Sequence, residues 1–308
     1  MTPEELKGKA IAVVLGGDSA EREVSLRSGE AVLKALQQRG YQAFPLDSAE
    51  DVAQQLLLCG AEVAYLAVHG RHGEDGTIQG LLEMLRIPYT GSGVLASAMA
   101  MHKFVAKTMV QAAGVVTPAS ALIEADTALD PFCAAHALFP CVVKPVREGS
   151  TLGISIVRDR GELKKAITMA RTYDSSVLVE DFIAGREVTV GVLDGQALPV
   201  VEIVAQGGFY DYAAKYTLGQ TEYLVPAPMP EDLYSQVQAA AQKVYAVIGC
   251  KGAVRVDFML RGEEFFFLEV NTIPGMTETS LLPKAAACEG MNFAEIVDRI
   301  LYGAALDK

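Results

Sequence analysis

The residues with the clearest chemical potential lie in one stretch, RVDFMLRGEEFFFLEVN, at positions 255–271. The stretch predicts a β-hairpin with polar residues at both of its open ends. Side chains two apart on a strand share a face, so Arg255 lies beside Asp257. Glu269 likewise lies beside Asn271, and pairing the two acids also sets Arg255 opposite Asn271. Two carboxylates and an amide on one rigid surface offer the oxygen ligands that Mg²⁺ prefers.

The register of this hairpin decides whether the two carboxylates can face one ion. They share a face only if the turn has an odd number of residues, such as 262–264, or if a β-bulge corrects the register. Glycine stands first in that loop rather than at the favoured last position, so both solutions stay open. The ordinary alternative is a hairpin with charges on its solvent face. All four polar residues in phase, followed by NTIPGMTETS, favour a site over that alternative.

Length and composition set the broad class. A chain of 308 residues exceeds the usual single domain, so we expect two or three domains. The net charge is −12 and no basic stripe is present, which argues against a nucleic-acid surface. Apolar runs are too short for a membrane span, and the charged N-terminus lacks the apolar core of a secretory signal. Five scattered cysteines predict reduced thiols and a cytoplasmic location.

The first hundred residues alternate strand and helix patterns, which predicts a small doubly wound unit with a parallel sheet. The predicted strands cover residues 9–15, 41–47 and 62–68, and the helices end near residue 39 and span about 51–58. Loops that follow parallel strands meet at one edge of the sheet. The unusual loops GGDSAEREVS (16–25) and HGRHGEDG (69–76) both fall there.

The remaining chain changes character from about residue 117. Strands are predicted at 140–145, 154–157 and 177–182, with a helix at 161–173. Hairpins follow from about residue 185, and a helix is predicted at 231–249. Between them, residues 206–222 form a long Gly- and Tyr-rich loop. Such loops are usually functional, so we expect a lid that shields a reactive intermediate from water.

A second chemical motif is the loop VREGSTLG at residues 146–153, hereafter the phosphate loop. Its glycines permit close backbone approach, and Ser150 and Thr151 offer hydroxyls and amides to a polyphosphate. Lys144 on the preceding strand adds a point charge. An ordinary hairpin loop explains the pattern equally well, and the spacing is not that of a P-loop.

The segments HGRHGEDGTIQG, PYTGSG, KPVREGSTLG, FYDYAAKYT, RVDFML and LEVNTIPGMTETSLLP occur in this order and together resemble the ATP-grasp D-alanine–D-alanine ligase family. The resemblance covers nearly the whole chain. It implies an α/β fold with α+β character in the C-terminal half. Three domains are expected: a substrate-binding domain at 1–100, a central domain with the phosphate loop at 101–184, and a C-terminal domain with the lid and metal site at 185–308.

The activity implied by the resemblance is ATP-dependent joining of two D-alanines through a D-alanyl phosphate, for peptidoglycan precursors. It implies ATP and Mg²⁺, with two ions expected and Mn²⁺ as a substitute. It also implies a cytoplasmic homodimer with no nucleic-acid or membrane partner. The near alternative is a ligase that uses D-serine or D-lactate as second substrate. A nicotinamide oxidoreductase lacks its three-glycine turn here, and a silent ATP-binding protein would have lost hairpin residues that this chain keeps.

The resemblance also assigns residues. Its catalytic set comprises Glu21, Ser150, Tyr216, Arg255 and Ser280. Its nucleotide-binding set comprises Lys103, Lys144, Ser150, Thr151, Glu180, Phe182, Ile183, Glu187 and Lys215. Its metal ligands are Asp257, Glu269 and Asn271. Its substrate-binding set comprises Glu21, His69, Gly275, Ser280 and Leu281.

Charge chemistry agrees with these implied roles. A carboxylate at Glu21 suits the ammonium of a first D-alanine, with Ser150 and Tyr216 as its hydrogen-bonding partners. The planar fork of Arg255 suits a transferred phosphoryl group and an oxyanion. Free amides at the helix start around Ser280 favour the carboxylate of a second substrate. For Glu21, a surface glutamate on a capped helix is the ordinary alternative.

Four positions depart from the family pattern, and we expect them to influence nucleotide affinity rather than to abolish activity. They are Val146, Thr151, Ile273 and His102. Tyr216 bears on the second substrate, because a tyrosine here accompanies D-alanine use in the family.

Overall fold

The computed structural model describes residues 1–49, 51–205, 221–277 and 279–308. Its strands form three sheets, each confined to one stretch of the chain. The strands are β1 (Ala10–Leu15), β2 (Gln42–Asp47), β3 (Val63–Leu66), β4 (Ser120–Ile123), β5 (Cys141–Pro145), β6 (Ser155–Val157), β7 (Val177–Asp181), β8 (Arg186–Leu193), β9 (Gln196–Ala205), β10 (Thr221–Leu224), β11 (Ala253–Arg261) and β12 (Glu264–Asn271). The first sheet is parallel, with order β2-β1-β3, and the second and third are antiparallel, with orders β4-β7-β5-β6 and β10-β9-β8-β11-β12.

The helices of the described chain cover these sheets. They are α1 (Pro3–Lys7), α2 (Arg22–Gln38), α3 (Val52–Leu58), α4 (Thr77–Leu85), α5 (Val94–Met101), α6 (Lys103–Ala112), α7 (Leu129–Ala135), α8 (Arg160–Ala170), α9 (Glu231–Ile248), α10 (Leu281–Cys288) and α11 (Phe293–Tyr302). Among the described residues, none of these helices is long and apolar enough to cross a membrane.

The first sheet is buried on both faces. Successive side chains of β1 point in opposite directions, and each set packs in its own core. Ile11 and Val13 pack in one core together with residues of α2 and α11. Ala12 and Val14 pack in a separate core together with residues of α3 and α4. The predicted doubly wound parallel sheet is therefore confirmed, and the last helix of the chain completes its cover.

The two antiparallel sheets form separate cores. Residues of α7 and α8 bury one face of the second sheet. Residues of α5, α6 and α9 pack against one face of the third sheet. Apolar residues of α10 join β9 to the core under the first sheet, so the third sheet is also covered on its other face. This arrangement brings α6 between the second and third sheets.

The structure shows the turn length and the strand register of the β11–β12 hairpin. Arg261 pairs with Glu264, which leaves a two-residue turn, and Gly262 adopts φ +63° within it. The odd-length turn is therefore wrong. A β-bulge between Asp257 and Phe258 shifts the register and sets Asp257 directly opposite Glu269. The bulge is what turns both carboxylates to one face.

Candidate active site

A cavity of about 700 Å³ opens where the three sheets approach one another. Loops from the carboxyl end of the first sheet, the phosphate loop, the end of β12 and the start of α10 form its walls. The predicted residues that line it are Glu21, His69, Lys103, Ser150, Arg255, Glu269, Asn271, Gly275, Ser280 and Leu281. One cavity thus contains the predicted contacts for a nucleotide phosphate and for both substrates.

The hairpin places its four polar residues in the predicted two-by-two arrangement. Arg255 pairs with Asn271, and Asp257 pairs with Glu269. The Arg255 guanidinium donates to both Asp257 carboxylate oxygens at 2.9 Å. Glu269 forms an ion pair with Lys103 at 3.1 Å. Each carboxylate therefore has a cationic partner.

Asp257 is the most enclosed of the predicted metal ligands. It is 5% exposed, and Thr189 donates a hydrogen bond to it at 2.5 Å. In the described part of the chain, no group of three or more His, Cys, Asp or Glu residues is arranged to hold a metal ion. The three predicted metal ligands comprise two carboxylates, Asp257 and Glu269, and the side-chain amide oxygen of Asn271. These three oxygen donors fit Mg²⁺, which prefers carboxylates and amides and takes its other ligands from phosphates and water.

The phosphate loop is attached to the first sheet through Glu21. The Ser150 hydroxyl donates to the Glu21 carboxylate in a short hydrogen bond. A Cβ on Gly149 would lie only 2.6 Å from the same carboxylate, so only glycine allows this approach. Glu21 precedes α2, but its side chain makes no cap hydrogen bond there. The carboxylate is therefore directed to the loop and the cavity rather than used as a helix cap.

Three further contacts fix the phosphate loop. The Arg147 guanidinium binds the buried Asp174 carboxylate at 2.5 Å. Lys103 Nζ donates to the Glu148 carbonyl at 2.6 Å, and the Glu148 carboxylate pairs with Arg71 at 2.8 Å. Lys103 thus connects the phosphate loop to Glu269 on the hairpin.

His69 and Glu74 form a buried wall of the cavity. Burial lowers the pKa of His69, whose Nε2 lies 3.3 Å from the Ser28 hydroxyl. That hydroxyl accepts from the Met276 amide at 3.2 Å. Burial, followed by the charge of Glu21, raises the pKa of Glu74 to about 8. Its carboxylate accepts from the Gly70 amide at 2.7 Å and from the Ile273 amide at 3.2 Å, and so joins the loops on opposite walls.

The start of α10 is built around Ser280, which is its N-cap residue. The Ser280 side chain does not cap α10 but accepts from the Thr277 amide at 3.1 Å and lies 2.8 Å from the Thr277 hydroxyl. A Cβ on Gly275 would come within 3.1 Å of the Ser280 hydroxyl. The first amides of the helix are left available for an anion.

Some predicted residues do not line the cavity. They are Lys144, Thr151, Glu180, Phe182, Ile183, Glu187 and Asp257. Lys144 and Glu180 are buried together, with a 2.5 Å ion pair between them. Lys215, Tyr216 and most of the predicted lid at 206–222 lie outside the described residues.

The departures from the family pattern have structural roles of their own. Val146 is fully buried, and Ile273 packs in the core between the first sheet, α3 and α4. His102 is the N-cap of α6, where its ring nitrogen accepts from the Val105 amide at 3.3 Å. Thr151 adopts φ +63°, as Ser150 does with φ +50°.

Sequence reasoning missed Lys107, Glu74 and Thr189. Lys107 follows Lys103 by one helical turn, so both lie on the same face of α6. This four-residue spacing could have indicated that Lys107 lies near the same site as Lys103. Glu74 belongs to the GEDG segment of a loop that was already singled out, but nothing local indicates its burial. Thr189 pairs with Asp257 across β8 and β11, a contact that no local pattern reveals.

The fold contains two antiparallel sheets, one that carries the phosphate loop and one that ends in the acidic hairpin, beside a parallel-sheet unit. This combination defines the ATP-grasp class. The chain matches the family described as "D-ala D-ala ligase C-terminus" over residues 109–302 and "D-ala D-ala ligase N-terminus" over residues 48–92. The chain belongs to the D-alanine–D-alanine ligase family, as the sequence resemblance predicted.

Individual relatives agree with this assignment. A D-alanine–D-alanine ligase of Syntrophotalea carbinolica is 58% identical, with 100% of both chains covered. One from Geobacter sulfurreducens is 49% identical over 99% of this chain and 97% of its own. The crystal structure of the Bacillus anthracis D-alanine–D-alanine ligase complexed with ATP has a TM-score of 0.83 at 33% identity, covering 96% of this chain and 97% of that one. The VanG D-Ala:D-Ser ligase of Enterococcus faecalis has a TM-score of 0.81 at 31% identity, covering 96% and 98%.

Proposed function

We propose that this chain is an ATP-dependent ligase that joins two D-alanines into D-alanyl-D-alanine for peptidoglycan precursor synthesis. The observation that carries the proposal is the shared cavity, in which Glu21 and Ser150 face the Arg255–Asn271 end of the hairpin. Family membership across the whole chain supports it. We further propose a cytoplasmic homodimer with domains at 1–100, 101–184 and 185–308.

The first half of the reaction transfers a phosphoryl group from ATP to the carboxylate of one D-alanine. Glu21 binds the ammonium of that D-alanine and is itself oriented by Ser150. Lys103 and the phosphate-loop amides hold the nucleotide phosphates. Arg255 stabilises the negative charge on the transferred phosphoryl group in the transition state. Asp257, Glu269 and Asn271 would hold Mg²⁺, which supplies charge neutralisation at the phosphate oxygens.

The second half joins the two amino acids. The amine of the second D-alanine attacks the carbonyl carbon of the acyl phosphate, and the tetrahedral intermediate expels phosphate. The amides at the start of α10 bind the carboxylate of this second substrate, with Gly275 and Ser280 beside it. Arg255 lies on the hairpin side of the cavity, where it can stabilise the oxyanion. The chain's main contributions are positioning and charge stabilisation.

A related function is the use of another second substrate. The similarity to a D-Ala:D-Ser ligase favours D-serine as the candidate. The tyrosine at position 216 supports D-alanine instead. Residues that decide between them include some outside the described part of the chain, so the acceptor has to be measured.

Steady-state assays near neutral pH test the proposal. ADP release is followed with D-alanine, L-alanine, D-serine plus D-alanine, and D-lactate plus D-alanine, and products are identified by mass spectrometry. We expect release that depends on D-alanine and yields D-alanyl-D-alanine, with L-alanine inactive. Preferential formation of a mixed dipeptide or a depsipeptide would overturn the choice of acceptor. No D-alanine-dependent release with any acceptor would overturn the ligase proposal itself.

A further inference from the structure

Lys107, Lys144 and Glu180 form a buried charge cluster behind the phosphate loop. The three side chains are between 2% and 5% exposed. Lys144 Nζ lies 2.5 Å from one Glu180 carboxylate oxygen, and Lys107 Nζ lies 3.0 Å from the other. Lys107 Nζ also donates to the Phe267 carbonyl at 3.1 Å. A single carboxylate is therefore held from both sides by lysines.

The cluster joins elements from different parts of the fold. Lys144 lies on β5 and Glu180 on β7, which are neighbours in the second sheet. Lys107 lies on α6, and the carbonyl of Phe267 belongs to β12 in the third sheet. Lys107 therefore links the second sheet, which carries the phosphate loop, to the third sheet.

The cluster is not electrically balanced. Two ammonium groups face one carboxylate, so these three side chains together carry one excess positive charge. Glu269, which pairs with the adjacent Lys103 at 3.1 Å, also acts to raise the pKa of Lys107 and so offsets part of this excess. Buried charge that its neighbours compensate only in part is costly. Burial lowers the pKa of Lys107 to about 8, although Glu180 opposes that change. A nearby anion would relieve this cost.

We propose that Lys107 is a positioning residue for the bound nucleotide. It fixes the Glu180 carboxylate and, through it, Lys144, and it supplies buried positive charge that the polyphosphate neutralises. The inference rests on the proposed function, since it assumes that ATP occupies the cleft between the second and third sheets. Lys107 itself does not line the cavity and acts through its neighbours.

A purely structural cross-link makes the opposite predictions. If Lys107 only tied the sheets together, its replacement by an apolar residue would destabilise the fold. If it supplies charge for the nucleotide, Lys107→Met leaves the neutral Lys144–Glu180 pair and removes the excess charge. The variant then keeps its stability while nucleotide binding weakens.

The test compares Lys107→Met with wild type and with Lys165→Met, which makes the same chemical change at an exposed lysine on α8. Binding of ADP with Mg²⁺ is measured by calorimetry, the KM for D-alanine by ADP release, and Tm by calorimetric melting. We expect Lys107→Met to raise the Kd for ADP about tenfold. The KM for D-alanine should stay within about twofold, and Tm within about 3 °C of wild type. Lys165→Met should match wild type throughout.

An unchanged Kd for ADP in Lys107→Met would overturn the inference. A lower Tm, together with a proportionate rise in both the Kd for ADP and the KM for D-alanine, would also overturn it. That result would support the structural cross-link. Should Lys107→Met fail to fold, Lys107→Gln keeps a donor for the Phe267 carbonyl and is judged by the same criteria. Failure of wild type to bind ADP would count against the proposed function instead, so the two failures are distinguishable.

Discussion

The hydrogen bond between Ser150 and Glu21 allows the coupling free energy between the two side chains to be predicted. A hydrogen bond to an ionised group contributes about 1.5–3 kcal/mol. Ser150 is buried and Glu21 half-buried, so solvent screening favours the lower end of that range. We therefore expect a coupling free energy of about 1.5 kcal/mol, or roughly tenfold in rate, between the two side chains.

A double-mutant cycle measures this coupling. The apparent kcat/KM for D-alanine is determined at saturating ATP for wild type, Ser150→Ala, Glu21→Ala and the double variant. Each single variant should lose activity, and the double variant should retain about tenfold more than independent losses predict. The positive φ of residue 150 strains serine and alanine alike, so it does not bias the comparison.

The matched control is Ser176→Ala, which removes a 2.7 Å hydrogen bond of the same kind, to Glu124, outside the cavity. Its kcat/KM should stay within about twofold of wild type because no cavity residue loses a partner. Additive losses in the cycle, with a coupling below about 0.5 kcal/mol, would refute the claim that the phosphate loop orients the Glu21 carboxylate.

Three further predictions concern the cavity walls. Glu269→Ala removes a proposed metal-ligand oxygen, so kcat should fall at least about 100-fold while circular dichroism stays native; intact turnover would contradict the site. Gly149→Ala should lower kcat/KM for D-alanine because its Cβ would lie 2.6 Å from Glu21, whereas Gly80→Ala, where nothing lies within 4 Å, should not. Burial raises the pKa of Glu74 to about 8. The folded state therefore binds an extra proton between its unfolded pKa of 4.5 and about 8, and this stabilisation is lost as pH rises through that window. Urea unfolding from about pH 5 to about pH 8 should show that Glu74→Gln removes this decline; an identical pH slope in both proteins would contradict the assignment.

Local sequence pattern predicted the main elements of the fold well. The continuous apolar run at residues 9–15 forms β1, observed as Ala10–Leu15, because a strand buried on both faces needs apolar residues throughout. The alternation around Arg255 and Asp257 likewise predicted the hairpin and its polar face. Both signals act over a few residues, which is the range that sequence reading covers.

The register of the hairpin needed the structure. The run EEFFFLEV carries three phenylalanines in a row and so does not show which face of β12 is buried. An odd turn and a β-bulge both satisfy the pairing of Asp257 with Glu269. In the observed register, Phe258 and Phe267 pair across the hairpin and both pack in the core of the third sheet, a tertiary contact that local pattern does not show.

Long-range burial is the other information that the sequence lacks. Lys144 was predicted to contact phosphates, but the structure pairs it with Glu180 and reveals Lys107 as a second partner. A lysine that is exposed and a lysine that is buried beside a carboxylate look the same in sequence. Only the approach of α6 to the second sheet brings these charges together.

In the proposed mechanism, this cavity transfers the terminal phosphoryl group of ATP to a D-alanine carboxylate. Turnover of D-alanine labelled with ¹⁸O in its carboxylate reports on that transfer, with the released phosphate analysed by mass spectrometry. An acyl phosphate passes one labelled oxygen to phosphate, so we predict phosphate carrying a single ¹⁸O and a matching amount of D-alanyl-D-alanine. Unlabelled phosphate released during dipeptide formation would contradict the mechanism.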